Sequence, residues 1–211
     1  MKPVNPIIAG IMNASSPGEY LLNRNIDIPE IAISMGIFQR NGQSVWEHTI
    51  SVMSHITPKT PTLLLAAMFH DLGKCNVQPM PDQSMHRFPC HAKKSAEIAQ
   101  KKLKYFEVSK GVVRDISKLV ATHMHDISGE LRPRTVRKFV ANVGVANIDN
   151  WFRLRIADSK SYASHGEYCR HVIDPFKKTV DDYLRYRLIG EKTKFLDCTT
   201  RESINIEGGD S

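Results

Sequence analysis

The stretch Ala66-Ala67-Met68-Phe69-His70-Asp71-Leu72-Gly73-Lys74 decides how this chain reads. The run before it, from Leu63 to Phe69, is apolar almost all round, which predicts a buried helix. Thr60-Pro61 supplies its start, an N-cap followed by a first-turn proline. Gly73 is placed to stop it. A helix that carries His70 and Asp71 at its buried end needs a partner for both. A divalent cation takes imidazole nitrogen and carboxylate oxygen side by side. The plainer alternative is a core histidine and a helix-end aspartate, each satisfied by hydrogen bonds.

Working outward, other ligand-type residues fall on segments that read as helix. Upstream, Ser44-Val45-Trp46-Glu47 is a capping box, and the helix behind it places His48, Val52 and His55 on one face. His55 reads as structural or as a dipole partner at the helix end. Downstream, His91 opens a helix whose flank carries Lys93, Lys94, Lys101, Lys102 and Lys104, by default a solvated face. Ser109 caps the next helix, where Val112, Val113, Ile116, Leu119, Val120 and His123 trace a buried stripe. His125 and Asp126 then read as exposed. A short helix from Val136 to Val143, closed by Gly144, has Arg132, Arg134, Arg137 and Lys138 at its front. From Asn147 to about Ser164 runs an amphipathic helix in which Trp151, Leu154 and Asp158 share the apolar face. A carboxylate there is costly to bury unless it is paired or metal-bound. A last helix spans Phe176 to Leu188.

The order His48, His70-Asp71, His91, His123, Asp158 on successive helices, with Gly73-Lys74 after the pair, resembles the HD superfamily of metal-dependent phosphohydrolases. The fold this implies is all-α, a single helical bundle, and the periodicities agree. We expect it over residues 44–190, with residues 1–43 as an N-terminal wrap or substrate lip and 191–211 as a tail. Within residues 1–43, only Ile26 to Met35 reads as a short helix, because Pro3, Pro6, Pro17 and Gly18 interrupt the rest. The proline-containing segment from Cys75 to Cys90 reads as a polar loop holding His86, and only Ile204 to Ile206 hints at a strand.

Composition bounds the rest. The chain has 211 residues, 41% hydrophobic and 24% charged, which is ordinary for a globular domain with a real core. Lys plus Arg number 29 against 22 Asp plus Glu, a net charge of +7 that favours an anionic partner such as a phosphate ester or nucleic acid. Cys75, Cys90, Cys169 and Cys198 show no C-x-x-C spacing, which argues against a zinc knuckle or a disulfide framework and fits a reducing, cytoplasmic setting. No apolar run is long enough to span a bilayer. The segment Ile7 to Met12 is too short and too proline-flanked for a secretory signal.

The resemblance narrows further. Val45-Trp46-Glu47-His48-Thr49, His70-Asp71-Leu72-Gly73-Lys74, the His91 helix, Arg134 to Gly144 and Ala157-Asp158-Ser159 are similar to the HD domain of bacterial CCA-adding tRNA nucleotidyltransferases. The nucleotidyltransferase head of those enzymes has no counterpart here, so nucleotide addition is not implied. What is implied is hydrolysis of phosphate esters of nucleotides or RNA ends, of the 2′,3′-cyclic phosphodiesterase or phosphatase type, by a metal-activated hydroxide. In that reading His48, His70, Asp71 and Asp158 hold one divalent ion, and His91 and His123 help hold a second with Asp71 bridging. Asp71 and Lys74 serve catalysis, while Lys74, Arg134 and Arg137 hold the substrate phosphate. Such ligands suit manganese, nickel, cobalt, iron or zinc better than magnesium. Two other expectations stand beside this one: a non-catalytic nucleic-acid or nucleotide-binding module on the same scaffold, and a nucleotidase or nucleoside-triphosphate hydrolase of the same superfamily.

Overall fold

In the computed structural model the run from Leu63 to Phe69 is the innermost part of the chain, and every residue in it has no exposed surface. The structure describes residues 5–189 except 25, 40, 41, 79, 83, 84, 130, 161 and 163. In chain order the α-helices are α1 (Pro6–Asn13), α2 (Pro17–Leu22), α3 (Pro29–Ser34), α4 (Val45–His55), α5 (Pro61–Phe69), α6 (His91–Lys102), α7 (Lys110–Thr122), α8 (Pro133–Val143), α9 (Ile148–Ser159), α10 (His165–Tyr168) and α11 (Asp174–Ile189). The fold is all-α. Among the described residues it departs from this at an isolated antiparallel bridge between Phe38 and Ser44 and at a small antiparallel ribbon, β1 (Met80–Asp82) with β2 (Met85–Arg87), that pairs Met80 with Arg87. This ribbon lies inside the segment that the sequence presents as a plain loop.

The central helix α5 starts as its sequence dictates. Thr60 Oγ1 accepts from Leu63 N at 3.3 Å, with Pro61 in the first turn. Packed around it are α7, α4, α9 and α6. Each leucine, methionine or phenylalanine so buried contributes about 1.5–3 kcal/mol of transfer free energy, so this helix anchors the bundle. The capping box of α4 is closed in both directions: Ser44 Oγ accepts from Glu47 N at 3.1 Å and Glu47 Oε2 accepts from Ser44 N at 2.7 Å.

Three expectations need correction. Pro6 and Pro17, which seemed to break up the N-terminal segment, instead start helices, in the first turns of α1 and α2, while α3 falls within the helix expected over Ile26 to Met35. Proline is tolerated there because that N–H has no intrahelical acceptor. Ile8, Ile11, Leu21, Ile28 and Ile31 carry these helices into the core. Gly73 does not stop α5, because the chain leaves the helix at His70 and a 3₁₀ turn, Leu72–Asn76, runs through the glycine. The helix expected to start after Thr135 begins at Pro133, again with proline at its first position. The hinted strand at 204–206 and the tail at 191–211 lie outside the described residues.

No described helix is long and apolar enough to cross a membrane. Cys75, Cys90 and Cys169 are free thiols.

Candidate metal centre

Four helix ends and two helix faces converge at the C-terminal end of α5. His48 comes from α4, His70 caps α5, Asp71 opens the 3₁₀ turn, His91 opens α6, His123 caps α7, and Asp158 lies on α9. His48, His70, Asp71, His91 and His123 are all buried. Two groups of donor atoms result, His48–His70–Asp71 and Asp71–His91–His123, with Asp71 common to both. Its oxygens divide between them. Oδ2 lies 3.6 Å from His48 Nε2 and 3.4 Å from His70 Nε2, whereas Oδ1 lies 3.2 Å from His91 Nε2 and 3.5 Å from His123 Nε2. Asp158 Oδ1 joins the first group, 3.0 Å from His48 Nε2 and 4.0 Å from His70 Nε2.

The donor chemistry fits divalent cations. The Nδ1 atoms of His70, His91 and His123 lie 2.6, 2.6 and 2.7 Å from the carbonyl oxygens of Ala67, Phe88 and Val120, each three residues back. A carbonyl only accepts, so each Nδ1 carries a proton, and in the neutral ring, the form that binds metal, Nε2 presents the lone pair. His91 Nε2 is 3.2 Å from His123 Nε2, and His70 Nε2 is 3.3 Å from the Nε2 of His48, whose Nδ1 meets no carbonyl among the described residues. With His91 and His123 as Nδ1–H tautomers, two acceptors face each other beside a buried carboxylate, an arrangement that suits a cation between them. Orientation of a ligand imidazole by a carbonyl on its other nitrogen is how metal sites are commonly braced.

Electrostatics agree. Burial holds the His70 imidazole at about 4, below its ordinary 6.5, against the opposing pull of Asp71 and Asp158. Burial alone would raise the carboxyl of Asp71, but the Lys74 ammonium and the neighbouring imidazoles outweigh it and keep the group well below the usual carboxylate range. Asp158 behaves likewise: burial opposes ionisation, while the hydrogen bond and charge of His48 prevail. Both carboxylates are therefore anionic at neutral pH.

Lys74 is engaged inside the site. Its Nζ donates to Asp71 Oδ2 at 2.6 Å and to Gln39 Oε1 at 2.7 Å. Arg134 and Arg137 lie on the exposed side of α8, and no contact joins them to the cluster among the described residues. His55 is half-buried at the end of α4, and His125 is half-buried with its ring 5.3 Å from that of Phe139, less exposed than the sequence suggests.

The structure also adds residues that sequence reasoning missed. Gln39 meets Lys74 from the segment before α4. Ser95 Oγ accepts from Gly73 N at 2.8 Å and ties the 3₁₀ turn to α6. Tyr162 lies with its ring 6.0 Å from that of His48, and burial together with Asp158 and Asp71 raises its phenol. Arg155 lies 3.6 Å from Asp158 Oδ2. Only Arg155 left a signal in the sequence, since three residues before Asp158 on a helix is the same face. Gln39, Ser95 and Tyr162 reach the site through tertiary packing or a chain turn.

No curated protein matches the chain. Residues 45–164, which contain all six converging side chains, match the family model of the HD domain.

Proposed function

The chain belongs to the HD domain family, and from that premise we propose that it hydrolyses phosphate esters of nucleotides or RNA ends with bound divalent metal ions. The observation that carries the reading is the convergence of four Nε2 atoms on the two oxygens of Asp71, with three of the imidazoles locked by backbone carbonyls. His48, His70, Asp71 and Asp158 would hold one ion, and Asp71, His91 and His123 a second. Bound divalent ions supply Lewis-acid charge at the phosphoryl group and acidify water toward neutral pH.

The chain's own residues do the rest. Asp71 stays ionised because Lys74 sits on its Oδ2. Gln39 holds Lys74 in turn, so the ammonium is preorganised beside the place where negative charge grows on the phosphate. His70, His91 and His123 keep one tautomer throughout, since their Nδ1 protons are committed to carbonyls. Arg134 and Arg137, on the outer side of α8, would contact the more distant part of a long substrate.

Similarity of the motifs at residues 45–49, 70–74 and 157–159 to the HD domain of CCA-adding enzymes supports 2′,3′-cyclic phosphodiesters and phosphomonoesters as the substrate class. One observation favours the binding-module reading: Arg132, Arg134, Arg137 and Lys138 are all exposed on one helix start, a suitable face for a nucleic-acid backbone.

The test is a hydrolysis panel on metal-stripped protein reloaded with manganese, nickel, cobalt or magnesium. Substrates are 2′,3′-cyclic nucleotides, 2′-, 3′- and 5′-monophosphates, nucleoside triphosphates and an aryl phosphodiester, with Asp71→Ala beside each. Metal-dependent turnover lost in the variant is expected. Metal uptake without turnover on any ester would overturn the enzymatic reading in favour of the binding module.

A further inference from the structure

One cation outside the ligand set touches both halves of the centre. Arg155 Nη1 donates to the backbone carbonyl of His123 at 3.2 Å and lies 3.6 Å from Asp158 Oδ2. Its Nε and Nη2 both donate to the Tyr168 hydroxyl, at 3.1 and 2.6 Å. Its side chain is only 17% exposed. A guanidinium carries its donors in a rigid planar fork, so these contacts fix its orientation. Tyr168 is the last residue of α10, where the chain enters a π-helical turn, Cys169–Ile173. Turns of that kind recur at functional sites.

The contacts divide two ligands between the centre and the arginine. Asp158 gives Oδ1 to His48 and turns Oδ2 to Arg155. His123 turns its ring toward Asp71 and gives its carbonyl to Arg155. Asp158 belongs with the His48–His70 group and His123 with the Asp71–His91 group. Arg155 is thus a side chain that spans both from the rear.

We propose that Arg155, anchored by Tyr168, is a positioning residue that couples the two ligand groups. It holds the Asp158 carboxylate on one side and the end of α7 that aims His123 on the other. The inference rests on the metal-centre reading above. A lysine cannot replace it, because one ammonium does not reach a phenol, a carbonyl and a carboxylate in three directions.

The experiment loads metal-stripped protein with cobalt(II) and records ligand-field absorption, cobalt bound per chain and thermal melting. Wild type is compared with Arg155→Gln, Arg155→Lys, Tyr168→Phe and the control Arg153→Gln. Arg153 lies on the same helix but bonds Asp149 and the carbonyl of Thr57 instead. Altered bands and cobalt binding weakened about 10–100-fold are expected for Arg155→Gln and Tyr168→Phe, the range seen when outer partners of metal ligands are removed. Arg155→Lys should follow Arg155→Gln, and Arg153→Gln should follow wild type. Arg155→Gln combined with Tyr168→Phe should be no worse than Arg155→Gln alone, since Tyr168 acts through the arginine. Unchanged bands and affinity in Arg155→Gln would overturn the proposal even if melting falls, leaving Arg155 a brace of α9. If Arg155→Gln does not fold, Tyr168→Phe decides in the same way, because it keeps the charge and the ring. A wild type that takes up no cobalt overturns the metal-centre reading together with this one.

Discussion

The backbone N–H of Gly73 donates to the hydroxyl of Ser95 at 2.8 Å, and this bond brings the turn that carries Asp71 against the helix that begins with His91. The approach leaves no room for a side chain: a Cβ at position 73 would lie 2.2 Å from the His91 carbonyl oxygen and 2.3 Å from Ser95 N. Gly73→Ala should therefore push α6 outward and move His91 from Asp71. A stability loss of about 1–3 kcal/mol is expected. Metal titration should show weakened binding at the Asp71–His91–His123 group. Wild-type melting and metal content in Gly73→Ala would refute this account of the glycine.

Asp71 serves both donor groups, so its removal should be felt at both. Asp71→Asn keeps the shape and loses the charge. The variant is expected to fold, to lose bound metal measured by elemental analysis, and to lose turnover below detection. Full metal content with full activity would exclude Asp71 as the shared ligand.

The two histidine pairs should separate by stoichiometry. His91→Ala and His123→Ala are each expected to lower bound metal from two ions per chain to one, with the His48–His70 group still filled. If metal content does not change, His91 and His123 contact phosphate instead, and the second ion is absent.

Lys74 donates to Asp71 and Gln39 and, among the described residues, to no imidazole. Lys74→Met should retain metal and lower kcat by about 10–100-fold, the range for outer partners of a metal ligand. Metal loss on a scale matching Asp71→Asn would show that the ammonium holds the ligand in place rather than serving the reaction.

The metal-stripped protein should weaken in mild acid. The His70 imidazole is held at about 4 in the fold against 6.5 when unfolded, so between those values the unfolded chain binds more protons. Stability is then complete above about pH 6.5 and falls as the pH drops toward 4, by up to about 1.4 kcal/mol per pH unit from this group. Asp71 and Asp158, whose folded values are also depressed, act in the same sense, but only as the pH falls through and below the ordinary carboxylate range. Denaturant melts at pH 7.5 and 5, with His70→Gln as control, test it; equal midpoints would contradict the assignment.

Much was legible from spacing because it depends on local chemistry. Seven consecutive apolar residues from Leu63 to Phe69 have nowhere to go but the core, and a serine three residues before Glu47 caps α4 in any context. His48, His123 and Asp158 each stand on an apolar helix face, which suffices to say that they point inward. Pro6 and Pro17 misled because a proline breaks a helix only from within; in the first turn it starts one. Gly73 misled because its missing Cβ serves packing against α6, a neighbour 22 residues away.

By itself the sequence determined the bundle, its central helix and the residue types that turn toward one another, since periodicity and capping act within a few residues. Only the tertiary structure decided which oxygen of Asp71 faces which histidines, that Lys74 is shared with Gln39, and that Arg155 and Tyr168 bridge the rear of the site. Those relations join side chains from helices far apart in the chain. Their distances follow from how the helices pack, and no local pattern encodes that.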